Sequence, residues 1–167
     1  MTQPLTFTFD DDGAIPNSRL PLLVYRDAVP RDPAAIEHLF AANRWPPAWR
    51  DGVHPFHHFH SSAHEALGVA SGHAKILFGG PGGQVLTVRA GDVVAIPAGV
   101  GHRNQGQSDD LLIVGAYPDS AKNPDLRRGK QSEHTEAMRA IAAVPLPSTD
   151  PVQGFDGAMS RLWNTQE

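Results

Sequence analysis

The sequence predicts an all-β fold, a sandwich or barrel of short strands with a few peripheral α-helices in its N- and C-terminal extensions. Three observations predict it. Between about residues 53 and 117, short apolar runs alternate with turn residues roughly every 8–12 positions, the rhythm of strands joined by tight turns. Glycine and proline supply 16 and 15 of the 167 residues, which suits short strands better than long helices. Helical spacing of apolar residues is confined to two stretches, one on either side of that region.

Taken in order, residues 1–31 read as an irregular or edge-strand arm, with Leu22–Tyr25 as one short strand. Asp32-Pro33 starts a helix, an acceptor side chain at the cap followed by a proline whose missing N–H is not needed there. Ile36, Leu39 and Phe40 continue it, and Asn43 is its stop. Strands follow at Ala66–Ala70, Ala74–Phe78, Val85–Val88, Val93–Ile96 and Leu111–Tyr117. Ser71-Gly72, the hairpin tip Gly79–Gly83, Ala90-Gly91 and Pro97-Ala-Gly99 separate them. The tail returns to a helix with Ser132 as cap and Ala137, Met138 and Ile141 on one face, then a proline-rich stretch and Leu162-Trp163. No internal repeat is present. The expected organisation is a single domain over 1–167: a core at about 53–117, an arm and helix at 1–52, and a helix and tail at 118–167.

Composition narrows the chemistry. The absence of cysteine removes disulfides, thiolate ligands and thiol nucleophiles together. A net charge of −4 argues against a nucleic-acid partner, and the short basic knot Arg127-Arg128-Gly-Lys130 reads as a solvated loop. No run approaches the roughly 18 apolar residues of a membrane span, and the first residues lack the basic start and apolar run of a signal peptide. A soluble, cytoplasmic protein is expected.

The histidines are the chemical signal. Five of the nine lie between His54 and His64. On an extended strand His58 and His60 point the same way, because side chains alternate with period two. Glu65 follows after a short excursion that can return it, and His102 enters after the Pro97–Gly99 turn. Three imidazoles and a carboxylate suit Mn, Fe, Co, Ni, Cu or Zn. His54, His57 and His64 compete as ligands; His57 should face away from His58, and His64 is the first reserve. A helical zinc-protease arrangement does not fit, since His-Glu-x-x-His is absent and a strand follows His64.

These residues carry a resemblance. Gly52, His58, His60, Glu65 and Gly72 are spaced as in the first cupin motif, Gly-x5-His-x-His-x4-Glu-x6-Gly. Gly91, Pro97, Gly99 and His102 are spaced as in the second, Gly-x5-Pro-x-Gly-x2-His. The asparagine usual four residues after that histidine is missing: Gly106 stands there and Asn104 comes early. A narrower resemblance to the YjlB-type cupins runs from His58-Phe-His-Ser-Ser-Ala-His-Glu65 through Gly115-Ala-Tyr-Pro118 and Arg128-Gly129 to Leu162-Trp163. It implies a double-stranded β-helix, the RmlC-like cupin jelly roll, with a divalent metal on His58, His60, Glu65 and His102. It also implies a homodimer and a small-molecule ligand in the barrel.

Other signals are weaker. The Gly79–Gly83 run lacks a following Lys-Ser/Thr and reads as a hairpin tip, not a phosphate loop. Ser61 and Ser62 have no nucleophile elbow around them. Trp45, Trp49 and Phe56 line the barrel mouth or shield the helix–barrel junction, and Arg103 holds an anionic substrate or a surface ion pair. The expected function is a metal-dependent enzyme of dioxygenase or isomerase type on a small chelating molecule, with His64 and Tyr117 as candidate acid–base groups. The alternative is a cupin that holds metal and ligand without turnover.

Overall fold

The computed structural model describes residues 2–164. Among the described residues, nine strands form two antiparallel sheets. They are β1 (Leu5–Phe7), β2 (Leu22–Tyr25), β3 (Pro47–Asp51), β4 (Glu65–Ser71), β5 (His73–Phe78), β6 (Gln84–Arg89), β7 (Val93–Ile96), β8 (His102–Gln107) and β9 (Leu112–Ala116). The larger sheet runs β1-β2-β7-β4-β9-β3 and the smaller β6-β5-β8. Three helices lie outside them: α1 (Pro33–Ala42), α2 (His134–Ala142) and α3 (Ala158–Asn164). This is the jelly-roll arrangement that the resemblance implies. Among the described residues, no helix is long and apolar enough to cross a membrane.

The central strands of the large sheet are apolar on both faces because both are covered. Leu22 and Val24 of β2, Leu67 and Val69 of β4, Val94 and Ile96 of β7, and Ile113 of β9 point inward. There they meet Ala74, Ile76 and Phe78 of β5 and Leu86 and Val88 of β6. The alternate residues Leu23, Tyr25, Ala66, Ala70, Val93, Ala95, Val114 and Ala116 point outward onto Ile36 and Phe40 of α1 and Met159 and Trp163 of α3. Period-two alternation therefore disappears from these runs, as it does wherever a strand is buried on both sides. Gly68 permits the close approach of α1: a Cβ there would lie 2.6 Å from Cγ2 of Ile36 and 3.0 Å from Cζ of Phe40.

Helix α1 forms as read, with Asp32 accepting from Ala34 N at 3.3 Å, Pro33 in the first turn and Asn43 at the C-cap. At α2 the structure differs. Ser132 lies in a 3-10 turn, Gln131–Glu133, and α2 begins at His134 with no side-chain cap. A tighter first turn satisfies the N–H groups that Ser132 was expected to serve. Of the face read from spacing, Ala137 is buried and Ile141 packs with it, whereas Met138 is exposed.

Two strands and one helix escape the sequence reading. β3 begins with proline and is an edge strand paired only to β9. β8 is His-Arg-Asn-Gln-Gly-Gln, polar and largely exposed beyond its first residue. It forms without the missing motif asparagine: Asn104 Oδ1 accepts from Gly106 N at 2.8 Å, beside a register shift against β5. α3 follows Gly157 with only seven residues, and it is held by burial of Met159 and Trp163, whose indole donates to Pro21 O at 2.8 Å.

Candidate metal centre

Four local devices bring the site together. His58 and His102 pair as an antiparallel bridge, with N···O distances of 3.2 and 2.9 Å, so the first histidine segment lies beside the start of β8. Gly99 (φ 97°) closes the turn before it; a Cβ there would meet Asn17 O at 2.3 Å, so the position requires glycine. Glu65 opens β4 with its side chain inward, two residues before Leu67 on the same face. His60 lies on the segment between, and Gly99 N donates to its carbonyl at 2.8 Å.

His60, Glu65 and His102 converge, each buried, with ligand atoms all within 4.8 Å of one another. His60 Nε2 stands 3.2 Å from Glu65 Oε2, and His102 Nε2 stands 3.4 Å from Oε1. The tautomers follow from the other side of each ring. Nδ1 of His58 faces Phe56 O at 2.9 Å, Nδ1 of His102 faces Val100 O at 3.1 Å, and Nδ1 of His60 faces Asp125 O. A carbonyl can only accept, so each Nδ1 carries the proton and each neutral ring presents a bare Nε2. A main-chain acceptor on the far nitrogen is the usual support of a metal-binding imidazole. His102 Nε2 is buried with no hydrogen-bond partner. The two histidine–carboxylate separations suit a common ion, since ligand bonds of about 2.1 Å give polyhedron edges of roughly 3.0–3.4 Å.

The electrostatics distinguish His58 from His60. Burial, and then the adjoining His102, bring His58 down to about 3, so its ring is neutral. Burial alone would lower His60 as well, but the Glu65 carboxylate pushes it up to about 9. Burial alone would raise Glu65, and the two imidazoles hold it well below the usual carboxylate range. Proton and metal cation therefore compete for one place between His60 and Glu65.

His58 stands beside this triad, its ring centroid 4.0 Å from that of His102 and 6.1 Å from that of His60. His54 also reaches the cavity, stacked on Phe56 at 4.8 Å. His64 is set apart. Being next to Glu65, it points to the opposite face, where Nδ1 accepts from Ala98 N at 2.9 Å and the ring packs 4.8 Å from Trp163. It does not line the cavity. Tyr117 does, with its ring edge-on to His60 at 5.7 Å and its hydroxyl accepting from Trp49 Nε1 at 3.3 Å. Burial and then the Glu65 charge raise the Tyr117 phenol and keep it protonated.

His58, His60, Glu65 and His102 line a cavity of about 760 Å³, within the usual range for small-molecule sites. Trp49, Val53, Leu67, Leu111, Leu112 and Leu126 make its apolar wall, and Arg50, Gln107 and Asp125 its polar margin. Trp49 is thus a wall residue, whereas Trp45 is fully buried in the outer core with α1, its indole donating to Thr149 O at 3.0 Å. Phe56 lies outside the wall, beneath the guanidinium of Arg128 at 3.6 Å. Arg103 donates to Pro55 O at 3.2 Å on the exposed side of β8, away from the metal ligands. Sequence reasoning missed Asp125 and Leu126, which arrive from a tail segment with no local motif to single them out.

Comparison with known proteins gives the family. The cupin family model matches residues 50–136. The uncharacterized protein YjlB of Bacillus subtilis strain 168 is 38% identical over 159 residues, which is 95% of each chain. The chain is a cupin. Among solved structures, this cupin is similar to a DUF861-family protein from Thermotoga maritima, at 16% identity over 56% of this chain and 96% of that one, with a TM-score of 0.36. It is also similar to procruciferin, an 11S globulin from Brassica napus, at 17% identity over 75% of this chain and 34% of that one, with a TM-score of 0.41. Oxalate decarboxylase from Bacillus subtilis, a protein with Mn(II) centres, matches at 18% identity over 69% of this chain and 29% of that one, with a TM-score of 0.35. These structural likenesses are too distant to carry any chemistry across.

Proposed function

We propose that this cupin is a metal-dependent enzyme that acts on a small chelating molecule, with His58, His60, Glu65 and His102 as the ligand set. One observation carries the reading: the imidazoles of His60 and His102 and the buried carboxylate of Glu65 converge, with His58 beside them, on a cavity of small-molecule size, each ring backed by a main-chain carbonyl at Nδ1. A bound divalent transition metal would supply Lewis acidity, or redox chemistry if it is iron or manganese. The chain's own part is to hold the ligand tautomers, to enclose an apolar substrate body against Trp49, Val53 and Leu111, and to present the Tyr117 hydroxyl as a proton donor. Dioxygenase and isomerase reactions both fit such a site. Elemental analysis of the purified protein is expected to give one divalent transition metal per chain, reduced by at least tenfold in His60→Ala. A metal-free protein, or a variant with unchanged metal content, overturns the reading.

A specific observation favours the alternative of a binding module without turnover. Around the ligands, Arg50 is engaged by Glu37 at 3.0 and 2.5 Å, Asp125 is saturated with donors, and Tyr117 is held protonated. Among the described residues, that leaves Asp51 and His54 as the other titratable side chains of the cavity wall, Asp51 accepting from Gly52 N at 2.8 Å and His54 stacked on Phe56. Tyr117→Phe separates the two readings. An enzyme loses turnover of its substrate by about tenfold or more while retaining metal; a module keeps both metal and ligand affinity.

A further inference from the structure

We infer that Asp125, outside the ligand set, is a positioning residue that ties the ligand-bearing turn to the segment after the barrel and sets the orientation of His60. The inference rests on the reading of His60 as a metal ligand. Between His60 and Glu65 the chain runs through Ser61 and Ser62, and Asp125 holds both. Its Oδ1 accepts from Ser61 N at 2.7 Å, Ser62 N at 3.0 Å and Ser62 Oγ at 3.0 Å. Its Oδ2 accepts from Ser61 Oγ and from Arg127 Nε at 3.2 Å. Its own N–H donates to Ser62 Oγ at 3.0 Å. Its carbonyl then receives the Nδ1–H of His60.

Two neighbouring contacts keep this clamp in register. Phe59 and Arg127 exchange main-chain hydrogen bonds at 3.0 and 2.9 Å, and Arg127 grips Glu136 of α2 with two bonds of 2.9 Å. Segment 59–62 is thus fixed against residues some 65 positions later, which no local preference could arrange. The opposite His60 tautomer would set a lone pair against the Asp125 carbonyl oxygen, so the clamp also decides which nitrogen faces Glu65. Asp125 lies on the cavity wall yet has no acceptor left for an ion: two carboxylate oxygens already take five donors. Its place is behind the ligand, where loss of a supporting partner lowers metal affinity by about 10–100-fold.

The test measures the dissociation constant of Co(II), by competition with a chelator, for full-length wild type, Asp125→Ala, Asp125→Asn and Glu136→Gln. It also records the exchange-protected Nδ1–H resonance of His60 in the Zn(II)-loaded proteins. Asp125→Ala is expected to bind Co(II) at least tenfold more weakly and to lose the protected resonance. Asp125→Asn keeps an oxygen for the Ser61 and Ser62 amides and is expected to remain within about threefold of wild type. Glu136→Gln keeps an oxygen for Arg127 and leaves every Asp125 contact in place, and should leave affinity unchanged; a purely structural role would move it alongside Asp125→Ala. A folded Asp125→Ala protein with wild-type affinity overturns the inference. Should Asp125→Ala fail to fold, the Ser61→Ala/Ser62→Ala double variant replaces it, with a loss of at least fivefold expected and unchanged affinity overturning the inference. Wild type that binds no Co(II) instead overturns the metal-centre reading beneath it.

Discussion

Replacing Glu65 with glutamine keeps the shape of the side chain and removes its charge. In the metal-free protein, Glu65 is 2% exposed and is the reason His60 titrates near 9. The ordinary imidazole value is about 6.5, so the upward displacement of His60 is worth about 3 kcal/mol of folding free energy. The sign is set by linkage. A histidine raised in the folded state contributes fully below pH 6.5, contributes about 1 kcal/mol at pH 8, and contributes nothing once pH passes well above 9. In Glu65→Gln, burial alone governs His60, and this contribution is absent. The stability of wild type relative to the variant is therefore expected to fall by about 2–3 kcal/mol between pH 7 and pH 10. Urea denaturation in the presence of a chelator, at pH 7, 8, 9 and 10, measures it. A difference that stays constant across this range refutes the buried His60–Glu65 pair as the origin.

Other consequences are equally direct. Gly68→Ala sets a methyl 2.6 Å from the stiff β-branch of Ile36 and is expected to destabilise by about 1–3 kcal/mol, partly relieved in a double variant with Ile36→Leu; thermal melts of the four proteins decide it. His64, brought down to about 4 by burial, stays neutral in the fold while the unfolded chain takes up a proton below pH 6.5. Stability is lost as pH falls through this window, so from pH 6.5 to 4 the stability of His64→Leu relative to wild type should shift by about 3 kcal/mol in favour of the variant. A slope shared equally by both proteins counts against it. Saturation with a tightly bound divalent metal, at 100 times its dissociation constant, should stabilise the fold by about 3 kcal/mol, reversed by chelator and absent in His102→Ala, as read by the melting temperature.

Much of the fold was legible because strand burial leaves local marks. β4, β5, β6 and β7 are apolar runs next to glycine turns, β9 is an apolar run between Asp109-Asp110 and Pro118, and the Asp32-Pro33 cap announces α1. β3 and β8 lacked such marks. One is an edge strand opened by proline, and the other is polar because most of its side chains meet solvent, so only pairing with β9 and β5 makes them strands. α3 is too short for periodicity and depends on what Met159 and Trp163 bury against.

The same division runs through the site. By itself the sequence determined the chemistry available: imidazole and carboxylate donors without thiols, on two glycine-framed segments of cupin spacing. It also determined that His57 and His58 face apart, because alternation along an extended chain is a local property. Only the tertiary structure decided that His64, held in reserve as a ligand, turns away from the cavity. It sent His64 to Trp163 and Glu65 to His60 and His102, and brought Asp125 from the tail to stand behind His60. The reason is physical: a residue's direction relative to its neighbours is written in backbone geometry. Its partner across the barrel is chosen by the simultaneous burial of both sheet faces, which no single segment contains.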